Sequence, residues 1–165
     1  MIPVKVAKLG LDSVSNAYVV VLQEENGDRV LPIWIGRPEA ESIAMQMNGV
    51  KRERPLTHDL CHALINGLGA TLRRVQVTRL ENSTFFAELH LARGGAPVIV
   101  DARPSDAIAI ALRLDAPIYV AEVLFAGDGE SESAPAGRDD DAMSAEELQR
   151  HLEHMRPEDF GRFSF

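Results

Sequence analysis

The chain has 165 residues, 45% hydrophobic and 25% charged, with a single cysteine, Cys61. This length suits one domain with a core large enough to need no covalent staple, and one cysteine excludes an intramolecular disulfide framework. The longest apolar runs, residues 17–22 and 107–112, hold six residues each, far short of the roughly 20 that a spanning helix needs. The start, MIPVKVAKLG, lacks the continuous apolar stretch of a signal peptide, so a cytoplasmic protein with no membrane contact is expected. Net charge is −8 but unevenly spread, with −1 over residues 1–125 and −7 over residues 126–165. Global charge therefore neither favours nor opposes a polyanionic ligand. Such a ligand would meet the local clusters Lys51, Arg52, Arg54 and Arg73, Arg74, Arg79.

In chain order, strands are expected at 2–11, 17–24 and 29–35, with Asn26-Gly27 as a type I′ hairpin signal because that turn needs positive φ at both central positions. A helix follows, opened by Pro38 and stopped by Gly49, with Ala40, Ile43, Ala44 and Met47 as its buried stripe. Thr57 is then placed as the N-cap of a second helix whose core face would be Leu60, Ala63, Leu64 and Leu68, ending near Gly67 and Gly69. Strands are expected again at 71–80, 84–92 and 97–101, then a helix from Pro104 to Leu114 and a last strand at 118–125. Val4-Lys5-Val6-Ala7-Lys8-Leu9 resembles Val75-Gln76-Val77-Thr78-Arg79-Leu80, Arg37-Pro38 resembles Arg103-Pro104, and Ile43-Ala44-Met45-Gln46-Met47 resembles Ile110-Ala111-Leu112-Arg113-Leu114. These matches imply an α+β fold made of duplicated βββα units, forming a mixed, largely antiparallel sheet with helices packed on it. Hairpin-rich sheets leave edges to cover, and the scarcity of charge along residues 17–22 suggests a homodimer.

Three regions follow from this reading. Residues 2–125 form the domain. Residues 126–142, AGDGESESAPAGRDDDA, are an acidic flexible linker that cannot bury enough to offset its ordering entropy. Residues 143–165 hold a short helix, with Ser144 and Glu147 as a capping box and Leu148, Leu152 and Met155 on one face, and an aromatic tail with Phe160, Phe163 and Phe165.

Candidate chemistry gathers at helix starts. In Asp101-Ala102-Arg103-Pro104-Ser105-Asp106 two carboxylates and an arginine meet a helix N-terminus, an arrangement suited to an anion. Asp101 and Asp106 would hold a divalent cation such as Mg or Mn for phosphodiester hydrolysis, with Arg103 countering the developing charge. The structural alternative has Asp106 stabilising the helix dipole and Asp101 pairing with Arg103. His58-Asp59-x-x-His62 has the spacing of a zinc-protease helix, but it lacks the glutamate beside the first histidine and any obvious third ligand. Glu39 is either a pseudo-symmetric acid in the composite site or a solvated first-turn glutamate. Cys61 reads as a small core-side residue rather than a nucleophile.

Taken in order, Leu31-Pro32-Ile33-Trp34-Ile35-Gly36 with Glu39-Ala40, then Arg54-Pro55-x-Thr57-His58-Asp59-Leu60, then Asp101-Ala102-Arg103-Pro104-Ser105-Asp106-Ala107-Ile108-Ala109, resemble the bifunctional nuclease family over about residues 2–125. The resemblance implies an internally duplicated α+β domain with nuclease activity on RNA and DNA. The matching positions are Glu39, His58, Asp59, Asp101, Arg103, Ser105 and Asp106.

The expectation is a metal-assisted nuclease with Asp101, Asp106, Glu39, His58 and Asp59 as catalytic candidates, and Arg103, Arg54 and Ser105 as substrate contacts. The helix starts at Glu39, His58 and Asp106 should border one cleft. The alternative is a non-catalytic regulatory or binding module acting through protein or nucleic-acid partners. The absence of a long basic stripe or aromatic platform favours that alternative.

Overall fold

A computed structural model describes residues 1–12 and 17–125. The linker expected at 126–142 and the helix and tail expected at 143–165 lie outside the described residues. The elements are β1 (Ile2–Leu11), β2 (Tyr18–Glu24), β3 (Val30–Ile35), α1 (Arg37–Met47), α2 (Thr57–Gly67), β4 (Ala70–Glu81), β5 (Thr84–Arg93), β6 (Ala96–Ala102), α3 (Pro104–Arg113) and β7 (Ile118–Val120). The last strand is shorter than expected, because the chain turns into one 3-10 turn at Glu122–Leu124.

All seven strands join one mixed α+β sheet in the order β3-β2-β1-β7-β4-β5-β6. Every pairing is antiparallel except β4 with β7. Two three-stranded meanders thus flank the short β7, and Val4 of β1 and Val75 of β4 both pair with its Ile118.

The run that forms β2 is apolar without alternation because the strand is buried on both faces, with Val19, Val20, Val21 and Leu22 each at most 4% exposed. It therefore sits inside the sheet between β1 and β3, which corrects its reading as an edge. The edges are β3 and β6. In β6 only Ala102 is even half-buried, and Val98, Ile99 and Val100 all stand exposed.

Turn chemistry also differs from expectation. Neither Asn26 nor Gly27 has positive φ. Instead the Glu24 N–H donates to the Arg29 carbonyl at 3.0 Å, and the Arg29 guanidinium returns two bonds to the Glu24 carboxylate at 2.8 and 3.0 Å, closing a longer loop. The left-handed pairs are Asn82 (49°) with Ser83 (57°), and Gly94 (57°) with Gly95 (84°). They link β4 to β5 and β5 to β6 as two-residue turns, whose twist matches that of the flanking strands.

Ile43 of α1 and Ile108 of α3, both 0% exposed, share one core with Val20, Leu22, Val75, Val77, Leu89 and Val120. Each such buried aliphatic side chain contributes roughly 1.5–3 kcal/mol. Ala40, Ile43 and Ala44 are buried as expected, whereas Met47, at the end of its helix, is 46% exposed.

α2 is rotated relative to expectation. Cys61 and Ile65 pack against the core and His58 is buried, while Leu60, Ala63, Leu64 and Leu68 face outward. Its N-cap is Leu56 rather than Thr57, and Asp59 does the capping by accepting the Leu56 N–H at 2.9 Å. No helix among the described residues is long and apolar enough to cross a membrane.

Candidate active site

Two helices enter the site in the same way. The Gly36 carbonyl accepts the Ala40 N–H and the Arg103 carbonyl accepts the Ala107 N–H, both at 3.0 Å, so Gly36 and Arg103 are equivalent N-caps. Glu39 and Asp106 therefore both occupy the third position of a helix, where a carboxylate faces the free N–H groups and the positive end of the dipole. The two Arg-Pro pairs are offset by one residue: Arg37 lies inside α1, while Arg103, still extended at φ −69° and ψ 145°, precedes α3.

That offset determines what each arginine touches. Arg37 donates from Nε to Glu41 of its own helix at 2.7 Å. Arg103 grips Asp106 with both Nε (2.8 Å) and Nη2 (3.2 Å), and the same Nη2 reaches Glu39 of α1 at 2.7 Å. One planar guanidinium thus bridges the N-terminal carboxylates of two helices. It remains 66% exposed, and its Nη1 has no protein acceptor among the described residues.

α2 inserts its first turn beside this bridge. His58 Nε2 lies 3.0 Å from Asp106 Oδ1, and His58 Nδ1 lies 2.8 Å from Ser42 Oγ on α1. Glu39, His58 and Asp106, expected to meet, are therefore brought together around Arg103. The Ser42–His58–Asp106 chain resembles a hydrolase triad in composition but not in geometry. The serine meets Nδ1 rather than Nε2 and is only 5% exposed, so it is not presented as a nucleophile. Its role is to hold the imidazole.

Burial alone would raise the Asp106 pKa, but hydrogen bonds from Arg103 and His58, together with the arginine charge, outweigh it and hold the carboxyl below its ordinary value. Asp59 is likewise lowered against the effect of burial, by Arg113 and by the Leu56 N–H. Arg103 is raised by Asp106 first and then by Glu39, and stays charged.

The remaining candidates lie apart from the bridge. Asp59 receives Arg113 Nε at 2.6 Å, and Arg113 also donates to the carbonyls of Ala109 (2.9 Å) and Ser42 (3.4 Å), tying α1, α2 and α3 together. Ser105 is buried at 6% exposure, and Arg54 is exposed. Asp101 pairs in register with Glu88, between Val100, which lies opposite the core residue Leu89, and Ala102, which packs against the core, so strand alternation sets it on the sheet face away from the helices. It makes no pair with Arg103, which instead holds Asp106 and Glu39.

Strand alternation thus sets the Asp101 side chain on the opposite sheet face from the helix that carries Asp106. The oxygens of Asp106 are taken by Arg103 and His58, and no group of three or more His, Cys, Asp or Glu suited to a metal occurs among the described residues. His62 is occupied as well, accepting from Asn66 at 2.8 Å.

Sequence reasoning missed Ser42 and Arg113. Ser42 lies beside the apolar stripe of α1, and no spacing links it to His58. Arg113 left only the weak signal of a base in the last turn of a helix.

A seven-stranded mixed sheet with helix starts converging on a guanidinium-bridged pair of carboxylates defines an α+β domain with a composite polar site. The chain belongs to the bifunctional nuclease domain family, whose domain it matches over residues 20–133. It is 42% identical to an uncharacterized protein of Mycobacterium tuberculosis over 164 residues, 95% of this chain and 96% of that protein. It is also similar to Bifunctional nuclease 2 of Arabidopsis thaliana, 32% identical over 114 residues, which cover 67% of this chain and 35% of the plant protein. Bifunctional nuclease 1 of Oryza sativa subsp. indica is 27% identical over 112 residues, 66% of this chain and 34% of that protein.

Proposed function

We propose that the chain is a nuclease hydrolysing phosphodiester bonds in RNA and DNA at the Arg103 bridge. The observation that carries this reading is one exposed guanidinium held between the carboxylates of two helix N-termini, within a domain shared with named nucleases. A phosphate would approach the free Nη1 edge of Arg103, helped by the N-terminal dipoles of α1 and α3. Asp106 or Glu39 would take the proton from the attacking water, Arg103 would counter the charge that builds on the phosphoryl oxygens, and the P–O ester bond would break with its leaving oxygen taking a proton from solvent. His58 fixes the Asp106 carboxylate. For His58 to exchange a proton with a substrate, one of its ring nitrogens must first leave Ser42 or Asp106. Asp106 and Glu39 are already engaged by arginine and histidine, so a divalent cation bound there would have to displace one of these partners.

The test is hydrolysis of end-labelled single-stranded RNA and DNA by highly purified protein, with and without chelator, beside folded Arg103→Gln, Asp106→Asn and Glu39→Gln variants. Activity lost in all three supports the site; activity unchanged in all three removes it. The rival reading, a binding module without catalysis, draws on the closure of the network, since both His58 nitrogens and both Asp106 oxygens already have protein partners. Tight nucleic-acid binding without cleavage, weakened by Arg103→Gln, would establish it.

Two finer readings accompany the nuclease proposal. Internal duplication is supported by the equivalent caps Gly36 and Arg103 and by the common partner of Val4 and Val75. A homodimer is supported by the open, apolar β6 edge, and it predicts that Ile99→Lys lowers the mass seen by sedimentation. A monomeric wild-type mass at every concentration would remove it.

A further inference from the structure

α2 has two apolar sides, and the fold uses one. Cys61 and Ile65 meet the core, while Leu56, Leu60, Leu64 and Leu68 are 41%, 50%, 52% and 59% exposed. These four recur at every fourth residue, so they form one continuous ridge along the helix, roughly 18 Å long at 1.5 Å per residue. Single exposed leucines are ordinary on a protein surface, but a row of four marks a face that takes a partner.

We propose that this ridge is the docking site for residues 144–156 of the same chain, folded back as an amphipathic helix. The described chain ends at Phe125, itself buried in the core, and 40 residues follow. Within them Ser144 and Glu147 have the sequence spacing of a capping box, and Leu148, Leu152 and Met155 recur at i, i+4 and i+7. A stripe of that spacing offers the complementary ridge for packing i±4 rows against each other. At about this length a helix is marginal alone in water and needs an apolar surface to persist.

Reach and charge agree with this occupant. The 17 residues 126–142 have an r.m.s. span of roughly 20–25 Å, enough to return to α2 on a body of this size, and a tether so short gives an effective concentration near the millimolar range. Residues 126–165 carry −7, whereas the exposed approaches to α2 carry Lys51, Arg52 and Arg54 on one side and Arg73 on the other. The match to the mycobacterial protein covers 95% of the chain and so extends over 144–156, beyond the end of the family domain at residue 133.

Hydrogen–deuterium exchange of the full chain tests the contact. Peptides covering 148–155 should exchange at least tenfold slower than an unstructured chain. The protection should vanish in a Leu60→Asp, Leu64→Asp variant and in a Leu148→Asp, Leu152→Asp variant, with sedimentation mass unchanged in both. Leu60 and Leu64 lie outside the core, and unaltered exchange in β4 and β5 would verify that the body stays folded. Unstructured exchange rates in the wild-type segment would overturn the proposal. So would protection that survives Leu60→Asp, Leu64→Asp, and protection that falls on dilution together with a dimer mass would assign the ridge to a second copy.

Discussion

Arg37 and Arg103 are each followed by proline at the start of a helix, yet one serves its own helix and the other joins two. The difference is one residue of helix onset. Arg37 is already helical and its side chain runs along α1 to Glu41, four residues on; Arg103 is still extended and free to span the gap to Glu39. Equal sequence motifs therefore carry unequal chemistry, and the backbone angle at the cap decides which. The same asymmetry appears at the sheet edges. Strand β3 has two buried residues, Leu31 and Ile33, whereas β6 is open on both faces.

The first way to sharpen the comparison is through the core that the two halves share. Ile43→Ala and Ile108→Ala should each cost about 2–5 kcal/mol in chemical denaturation, because both side chains are fully enclosed and leave a cavity. A loss under 1 kcal/mol for one but not the other would show that the halves do not contribute alike.

A second test separates the arginines by activity. Arg103→Gln should lower kcat/KM on a nucleic-acid substrate by roughly 100-fold, about 2.7 kcal/mol, while Arg37→Gln should leave it near wild type. Equal losses would place Arg37 at the site as well.

Acid provides the third. Asp106 and Asp59 are both held below the ordinary carboxylate range, so their contributions are complete above about pH 4 and are lost as pH falls through the lowered values. Thermal midpoints should therefore be flat from neutral pH down to about pH 5 and fall below about pH 4, with a shallower fall in Asp106→Asn. An identical slope in that variant would mean that Asp106 gains nothing from its partners.

The smallest effect concerns stability at Arg37. Its pairing with Glu41 is largely exposed, so Arg37→Ala should leave the chemical denaturation midpoint indistinguishable from wild type; a clear downward shift would show that the pair contributes to stability.

Much of this architecture was legible because its signals are local. The unbroken run at 17–22, the Pro38 and Pro104 helix starts and the alternation along residues 84–92 each report burial or backbone angle within a few residues. The meeting of Glu39, His58 and Asp106 was also legible, from the matching Arg-Pro helix starts and the short link that carries Thr57 back to the body. What the sequence did not disclose depends on rotation about an axis or on distant pairing. α2 carries apolar residues on two sides, and periodicity alone favoured the richer leucine side over the Cys61 and Ile65 side that packs. Asp101 and Asp106 are neighbours in sequence, but the chain passes from strand to helix between them, and strand alternation had already turned Asp101 away.

The three residues of β7 have a consequence for synthesis. Among the described residues Ile118–Val120 emerge after every other strand, yet they fill the centre of the sheet and supply the only bond ladder joining β1 to β4. Until they arrive, a growing chain holds two separate meanders, each with a bare inner margin able to pair with a stranger. A fragment ending before Ile118 would keep both inner margins unpaired and open to pairing with another chain.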